Sequence, residues 1–223
     1  MPSHASMLTG VGPFQHRILW NDDDSEHDAV SVPSVFSIAK GEGLSTAAFY
    51  SKSKFTQLFS RSALDMSAAP TRSEGMWPGE STVAHAAAYL RTASPSLLFV
   101  HLGEPDDAGH SSGWMSTEYG QAVRSTDLAP GHLLARADTS YGRGKYTVIV
   151  TADHGGHNRT HGTPRSDDLL IPWIVWGAGV ETGAPLTEAV RTMDTAATAL
   201  WLLGVDVPRG WDGRVVRGAF TPK

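Results

Sequence analysis

The sequence predicts an α/β fold, with a doubly wound, mostly parallel sheet and helices on both faces, forming a single domain over residues 1–223. Short apolar and β-branched segments alternate with segments of helical spacing, which is the pattern of such a sheet. Two of these segments, 97–102 and 146–151, end abruptly in carboxylates, imidazoles and glycines. An α/β sheet presents ligands at the carboxyl ends of its strands, so this pattern supports the same fold. A length of 223 residues suits one domain with a substantial core.

The first half of the chain predicts three helices and two strands. Proline in the first turn and glycine at the end mark an opening helix over 2–10, and helical spacing recurs over 32–40 and 81–92. Strands are predicted over 45–50 and 97–102. Residues 21–28 form a polar loop. Residues 59–80, rich in serine, alanine and proline and without a period, form a surface excursion.

The second half predicts two helices and two strands. Residues 119–137 have helical spacing that Pro130-Gly131 interrupts, and 146–151 is a strand. Residues 170–176 form another strand, whose internal proline favours an edge position or a bulge. Asp194 is a suitable N-cap for an apolar helix over 195–203, which Gly204 ends.

Composition excludes several classes of function. The chain contains no cysteine, which excludes disulfides and thiolate metal sites. A net charge of −5 with dispersed acids and bases does not predict a nucleic-acid-binding face. No apolar run approaches the roughly 20 residues of a membrane segment. The first residues lack the basic and apolar regions of a signal peptide, so we expect a cytoplasmic protein. Oligomeric state is not predicted.

The two strand ends offer a set of metal ligands. Asp106 and His110 are four residues apart, so either one helical turn or a compact loop can aim both side chains at one ion. Asp153 and His154 directly follow the strand 146–151, and nearby glycines allow the chain to reverse and return His161. Mixed imidazole and carboxylate ligands favour zinc, with manganese or iron as alternatives, whereas calcium prefers oxygen ligands. The sequence therefore predicts a binuclear metal hydrolase.

Other histidines and lysines receive a more ordinary interpretation. A lone histidine is most often solvated or in the core, which is the prediction for His4, His16, His27, His85, His101 and His132. His157 is either a ligand or a support for one. Lys52 and Lys54 are predicted as surface lysines, with binding of an anionic substrate as the alternative.

Three blocks of sequence carry a resemblance to a known family. They are Pro2-Ser-His-Ala-Ser-Met-Leu-Thr-Gly10 with His16 to Asn21, Glu104-Pro-Asp106 with Gly109-His110, and Thr151-Ala-Asp153-His154-Gly with His161-Gly-Thr163. On these residues the chain resembles the alkaline phosphatase superfamily over nearly its whole length. It is closest to the type I phosphodiesterase/nucleotide pyrophosphatases, with sulfatases as more distant relatives.

The resemblance implies roles for individual residues. Asp106, His110 and His161 correspond to the ligands of one ion, and Asp153 and His154 to half the ligands of a second. Asn21 corresponds to an asparagine that donates a hydrogen bond to the phosphoryl oxygen of the substrate. The implied activity is two-step hydrolysis of a small-molecule phosphoric ester, most closely a phosphodiester, with two divalent ions in the complete enzyme.

The chain also departs from the family pattern. The nucleophile that precedes the matching proline would stand upstream of Met1, as would the first metal-binding aspartate and an inner strand of the sheet. Ser3 and Ser6 do not occupy the attacking position. We therefore expect an N-terminally incomplete domain whose catalytic nucleophile is outside this chain. A fragment or wrongly chosen start is favoured over a shortened natural product.

Three alternatives to a phosphodiesterase remain open. The serine-rich opening motif suits a sulfatase-type sulfuric ester hydrolase nearly as well, although such enzymes use a calcium ion with oxygen ligands. A mutase of the same superfamily would have an extra substrate domain, for which the sequence gives no support. The alternative of a different class is a non-catalytic, metal-binding remnant.

Overall fold

The computed structural model describes residues 1–23, 27, 29–183 and 185–221. Its helices are α1 (Pro2–Thr9), α2 (Pro13–His16), α3 (Val35–Gly41), α4 (Gly79–Tyr89), α5 (Glu104–Ser112), α6 (Thr117–Tyr141), α7 (Ser166–Leu169) and α8 (Asp194–Leu202). Its strands are β1 (Thr46–Tyr50), β2 (Met66–Ala68), β3 (Leu97–His101), β4 (Thr147–Thr151) and β5 (Trp173–Gly177). Four residues of the predicted polar loop, Asp24, Ser25, Glu26 and Asp28, lie outside the described residues.

Among the described residues, the strands form two sheets. β1 is the centre of a parallel sheet with the order β2-β1-β3, in which Ala48 lies opposite both Ser67 and Phe99. β4 and β5 form a separate antiparallel pair, with Thr147 opposite Gly177. Pro172 directly precedes β5 instead of interrupting it, so the ladder loses no N–H donor to the proline.

Helices cover both faces of the parallel sheet, because side chains of a strand point alternately to opposite faces. Ala48 and Tyr50 of β1 face α1, α3 and α8, while Ala47 and Phe49 face α4 and α6. All five residues of β1 are 0–1% exposed, as expected for the central strand of a doubly covered sheet. The predicted α/β fold, a parallel sheet flanked by helices, is confirmed.

Two predictions about irregular or interrupted segments are wrong. Residues 59–80 are not irregular throughout, since they contain β2, which at three residues is too short to show a period and exists through its pairing with β1. Helix α6 continues through Pro130 without interruption. It packs along α4 and α5, and such tertiary packing stabilises a helix more than its intrinsic propensity does.

The last helix begins one residue earlier than predicted. Met193, and not Asp194, is the N-cap of α8. The Asp194 carboxylate nevertheless accepts hydrogen bonds from the backbone N–H groups of Arg191 and Arg214, each at 2.8 Å. Gly204 follows the helix with φ of 75°, which is the left-handed conformation expected of a helix-ending glycine. Within the described residues, no helix has the length and apolar character needed to cross a membrane.

Candidate metal centre

Asp106 and His110 are positioned by the connection from β3 to α5. β3 ends at His101, and α5 begins three residues later with Glu104. Asp106 lies in the first turn of α5 and His110 one turn further, so both side chains occupy the same face of the helix. The Nε2 atom of His110 lies 3.4 Å from the Oδ1 atom of Asp106.

The second strand end depends on glycines to bring its side chains to the same place. A Cβ atom on Gly155 would lie 2.0 Å from the carbonyl oxygen of Asp167, and one on Gly156 would lie 2.2 Å from the ring of Trp114. Only glycine fits such close approaches. The turn therefore returns the chain after β4, and the ring of His161 stacks on that of His154 with centroids 3.7 Å apart.

Three imidazoles surround one carboxylate oxygen. The Nε2 atoms of His110, His161 and His154 lie 3.4, 3.7 and 3.9 Å from Asp106 Oδ1. Among the described residues this buried oxygen has no hydrogen-bond partner. Donor atoms bound tetrahedrally to one zinc ion lie about 3.4 Å apart. The spacing and the unpartnered oxygen fit a divalent metal ion that these side chains would hold.

The backbone orients two of the imidazoles. His110 Nδ1 lies 3.1 Å from the carbonyl oxygen of Arg159, and His154 Nδ1 lies 2.8 Å from that of Gly155. A carbonyl oxygen can only accept, so each Nδ1 carries the proton. In the neutral form of each ring, Nε2 therefore keeps its lone pair on the side of Asp106, which is the tautomer that a metal ligand requires.

His154 lies close to expected ligands of both ions that the resemblance implied. One ligand atom each of Asp106, His154 and His161 lies within 4.8 Å of the others. His154 Nε2 also lies 3.3 Å from Asp153 Oδ2. His154 therefore stands between the two carboxylates, in contact with both parts of the cluster. All five predicted ligands lie in one continuous site.

His4 is a site residue that the sequence did not reveal. Its Nδ1 atom lies 3.0 Å from Asp153 Oδ2, and its ring packs against Phe55 and His101. Burial opposes ionisation of Asp153, but the charges of His4 and His154 hold the pKa of this carboxyl below its usual range. Burial also keeps the pKa of His101 well below that of a free imidazole. For His101, the sequence did offer one indication that it lies near the site, namely its position at the end of the predicted strand 97–102.

Two lysines, Lys52 and Lys54, line the same cleft as His154 and His161. Lys52 Nζ lies 2.8 Å from both Asp106 Oδ2 and Asp107 Oδ1. Burial opposes its charge, yet the hydrogen bonds that Lys52 donates to these carboxylates raise its pKa. Lys54 Nζ donates to both oxygens of Asn21 at 3.0 Å. Asn21 is exposed and lines the same cleft as Asp106 and Asp153, beside the half-buried Lys54.

A second network holds the glycine turn in shape. His157 Nδ1 lies 2.7 Å from Asp168 Oδ1, while the N–H and hydroxyl groups of Thr163 donate to Asp168 Oδ2 at 2.8 Å. Asp168 is 3% exposed. Of the two roles considered for His157, the structure shows the supporting one, because its ring is turned to Asp168. The sequence did not identify Asp168.

Sequence comparisons give a family and several relatives. The family described as type I phosphodiesterase / nucleotide pyrophosphatase matches residues 1–170. GPI ethanolamine phosphate transferase 1 from Aspergillus oryzae is 27% identical over 145 residues, which are 55% of this chain and 14% of that protein. A 2,3-bisphosphoglycerate-independent phosphoglycerate mutase from Salinibacter ruber is 30% identical over 132 residues, 57% of this chain and 24% of that protein. An extracellular sulfatase SULF-1 homolog from Drosophila melanogaster is 25% identical over 150 residues, 60% of this chain and 13% of that protein.

Solved structures share the fold. A 2-O GAG sulfatase has a TM-score of 0.66 and 16% identity, covering 100% of this chain and 65% of its own. A phosphonate monoester hydrolase from Silicibacter pomeroyi has a TM-score of 0.67 and 15% identity, covering 97% of this chain and 66% of its own. The chain thus spans about two thirds of these structures and a quarter or less of the curated relatives. As its motifs predicted, it belongs to the type I phosphodiesterase/nucleotide pyrophosphatase family of the alkaline phosphatase superfamily.

Proposed function

We propose that this chain is the metal-binding part of an enzyme that hydrolyses or transfers phosphoric esters, with phosphodiesters as the preferred substrates. The observation that carries the proposal is the unpartnered Oδ1 atom of Asp106, with three imidazole Nε2 atoms at 3.4 to 3.9 Å. A buried carboxylate oxygen without a hydrogen bond is costly, and a divalent ion held by these groups would remove that cost.

The ligand chemistry favours zinc, with manganese or iron as alternatives. Asp106, His110 and His161 would hold one ion and Asp153 and His154 a second, with His154 also in reach of Asp106. When bound, such ions polarise a phosphoryl oxygen and lower the pKa of water. We propose further that the attacking hydroxyl group and the remaining ligands of the second ion belong to residues outside this chain.

The chain's own side chains would bind and orient the substrate. Asn21 accepts from Lys54 through its carbonyl oxygens, which leaves its Nδ2 to donate to a phosphoryl oxygen. Lys54 adds positive charge at the same point. Lys52 has a different role, since its two hydrogen bonds to Asp106 and Asp107 hold α5 against the end of β1 and keep Asp106 ionised. The named relatives that act on phosphate and phosphonate groups support this substrate class.

Sulfuric ester hydrolysis is the second candidate, favoured by the likeness to a sulfatase in both sequence and fold. The set of candidate metal ligands argues against this second candidate. Imidazoles from three histidines are poor ligands for calcium, which prefers an all-oxygen shell.

Metal and anion binding test the proposal without requiring turnover. Residues 1–223 would be stripped with a chelator and titrated with zinc and with calcium, then with inorganic phosphate and sulfate. We expect zinc to bind more tightly than calcium, and phosphate to bind the zinc-loaded chain more tightly than sulfate. Asp106→Asn should abolish the binding of both zinc and phosphate. His132→Ala, at an exposed position on α6, should leave the binding of both unchanged.

Each contrary outcome has a distinct meaning. Tight calcium binding with a preference for sulfate would support the sulfatase alternative. Zinc binding without any anion binding would support the non-catalytic remnant. A chain that binds neither zinc nor calcium would refute the proposed metal centre altogether.

A further inference from the structure

The connection between α5 and α6, residues 113–116, lies against the imidazoles of the metal centre. The ring of Trp114 meets those of His110 and His161 edge to face, with centroids 5.1 and 5.8 Å apart. Glycines make room for this ring, since a Cβ atom on Gly109 or Gly156 would lie 2.7 or 2.2 Å from it. Trp114 therefore packs against both segments that carry candidate ligands, and it remains partly exposed to the cleft.

Met115, the next residue, has an unusual backbone conformation. Its φ is 65°, in the left-handed region that methionine rarely adopts. Hydrogen bonds fix the chain on both sides of it. The N–H of Trp114 donates to the carbonyl oxygen of Asn158 at 2.7 Å, and the N–H of Ser116 donates to that of Gly113 at 3.2 Å. The surrounding contacts therefore hold Met115 in a conformation that its own preference does not favour.

This conformation places a large apolar side chain in solvent beside the metal centre. Met115 is 87% exposed and lines the same cleft as His154 and His161. A single exposed methionine is common on protein surfaces and needs no function. A strained backbone is different, because residues in such conformations concentrate at ligand-binding and catalytic sites. The geometry thus indicates that Met115 is held in position to contact a ligand.

Leu170 adds a second exposed apolar side chain near the imidazoles. It is 77% exposed and lines the cleft, and a Cβ atom on Gly155, the residue after His154, would lie 3.3 Å from its carbonyl oxygen. The carboxylate of Asp167 also lines the cleft, but it pairs with Arg165 at 3.0 Å. The connection between α5 and α6 contains no charged side chain. Apolar surface therefore borders the part of the cleft next to the imidazoles.

We infer that Trp114 and Met115 bind the alcohol group of the substrate, and that this group is an apolar alkyl or aryl alcohol. This assignment rests on the proposed function, because it takes the imidazoles as ligands of an ion that holds the phosphoryl group. The carbon groups of a phosphodiester lie one oxygen atom away from phosphorus, so they come within reach of side chains that flank the imidazoles.

The two side chains suit an apolar group. An indole ring offers a flat apolar surface, and the flexible, polarisable thioether of methionine adapts to varied apolar shapes. A hydroxyl-rich alcohol would lose hydrogen bonds with water at this surface. The apolar border therefore selects among phosphodiesters by the alcohol, while the phosphoryl group is common to all of them.

Binding of matched phosphodiesters to zinc-loaded 1–223 tests this assignment without turnover. The probes are hexyl methyl phosphate and glyceryl methyl phosphate, which carry the same single negative charge. Titrations followed by phosphorus NMR give the two dissociation constants. We expect the hexyl ester to bind at least about tenfold more tightly, because burial of two or three methylene groups is enough for that factor.

A substitution at Met115 locates the bound apolar group. Met115→Asn removes the apolar side chain and suits the backbone, since asparagine tolerates the left-handed conformation better than methionine does. The preference for the hexyl ester should fall to about threefold or less, with no loss of melting temperature or of zinc affinity. Leu128→Asn, at a position on α6 that is 75% exposed, should leave the preference unchanged.

Two results would overturn the assignment and leave the proposed function in place. One is binding of the glyceryl ester that equals or exceeds that of the hexyl ester. The other is a full preference retained by Met115→Asn, which would put the apolar group elsewhere in the cleft. If neither ester binds the zinc-loaded chain, the proposed ester chemistry fails, and the assignment of Trp114 and Met115 fails with it.

Discussion

His161 offers the most direct test of the metal centre. Its ring stacks on His154 and its Nε2 atom lies 3.7 Å from Asp106 Oδ1, so His161→Ala removes one donor from the centre of the cluster. The metal-free chain should be little affected. Burial, together with the charge of His154, lowers the pKa of His161, so the ring contributes no charge at neutral pH that the fold would lose.

The size of the effect follows from linkage between binding and folding. At a zinc concentration one hundred times the dissociation constant, the ion should stabilise the chain by about 2.7 kcal/mol. For a chain of 223 residues this corresponds to a rise in melting temperature of roughly 5 to 11 °C. Even loss of a group that only orients a ligand lowers metal affinity by about 10- to 100-fold, so loss of a ligand should cost at least about 100-fold.

At the same zinc concentration, His161→Ala should therefore gain only about 0.4 kcal/mol, or less than about 2 °C. The assay is thermal unfolding by circular dichroism with chelator and with zinc, and His132→Ala is the matched control. If His161→Ala keeps the full zinc-dependent rise while its metal-free melting temperature is unchanged, the imidazole is not a ligand and the assignment fails.

Three further predictions concern the support of the site and the core. Leu200→Ala, at a fully buried position of α8, should lower the free energy of unfolding by about 2–5 kcal/mol in urea titration; a loss under about 1 kcal/mol would contradict the packing. Gly156→Ala must displace the ring of Trp114, so zinc affinity measured by titration should fall; unchanged affinity would contradict the tight turn. Burial opposes ionisation of Asp168, but the hydrogen bonds that its carboxylate accepts from His157 and Thr163 lower its pKa. A lowered carboxyl pKa stabilises the fold at pH values above the unfolded pKa of about 3.9. Asp168→Asn should therefore be less stable than the natural chain near neutral pH. Urea titrations at decreasing pH should show this difference shrinking as the pH falls through the lowered pKa of Asp168. A pH-independent difference would contradict the ionic role.

Local sequence was enough to predict how the candidate ligands are positioned within their own segments. Asp106 and His110 stand four residues apart after an apolar strand, and helical geometry alone puts them on one face. The glycines after Asp153 predicted a turn that returns His161, and Gly155 and Gly156 are indeed closely packed against neighbouring groups. These features could be predicted because they depend on spacing within one segment.

Features that depend on contacts between segments were missed or only partly predicted. β2 exists by pairing with β1, and α6 passes through Pro130 because its neighbours pack along it. His4 is far from Asp153 in the sequence and reaches it only because α1 lies beside the end of β4.

The sequence by itself determined the α/β fold and the family. It also predicted five metal ligands, because strand ends and glycine turns fix side-chain directions within one segment of the chain. Only the tertiary structure decided that His154 lies between Asp106 and Asp153 and that Lys52 binds Asp106. Those distances are set by how the helix layers pack on the sheet. The spacing of residues within one segment does not determine that packing.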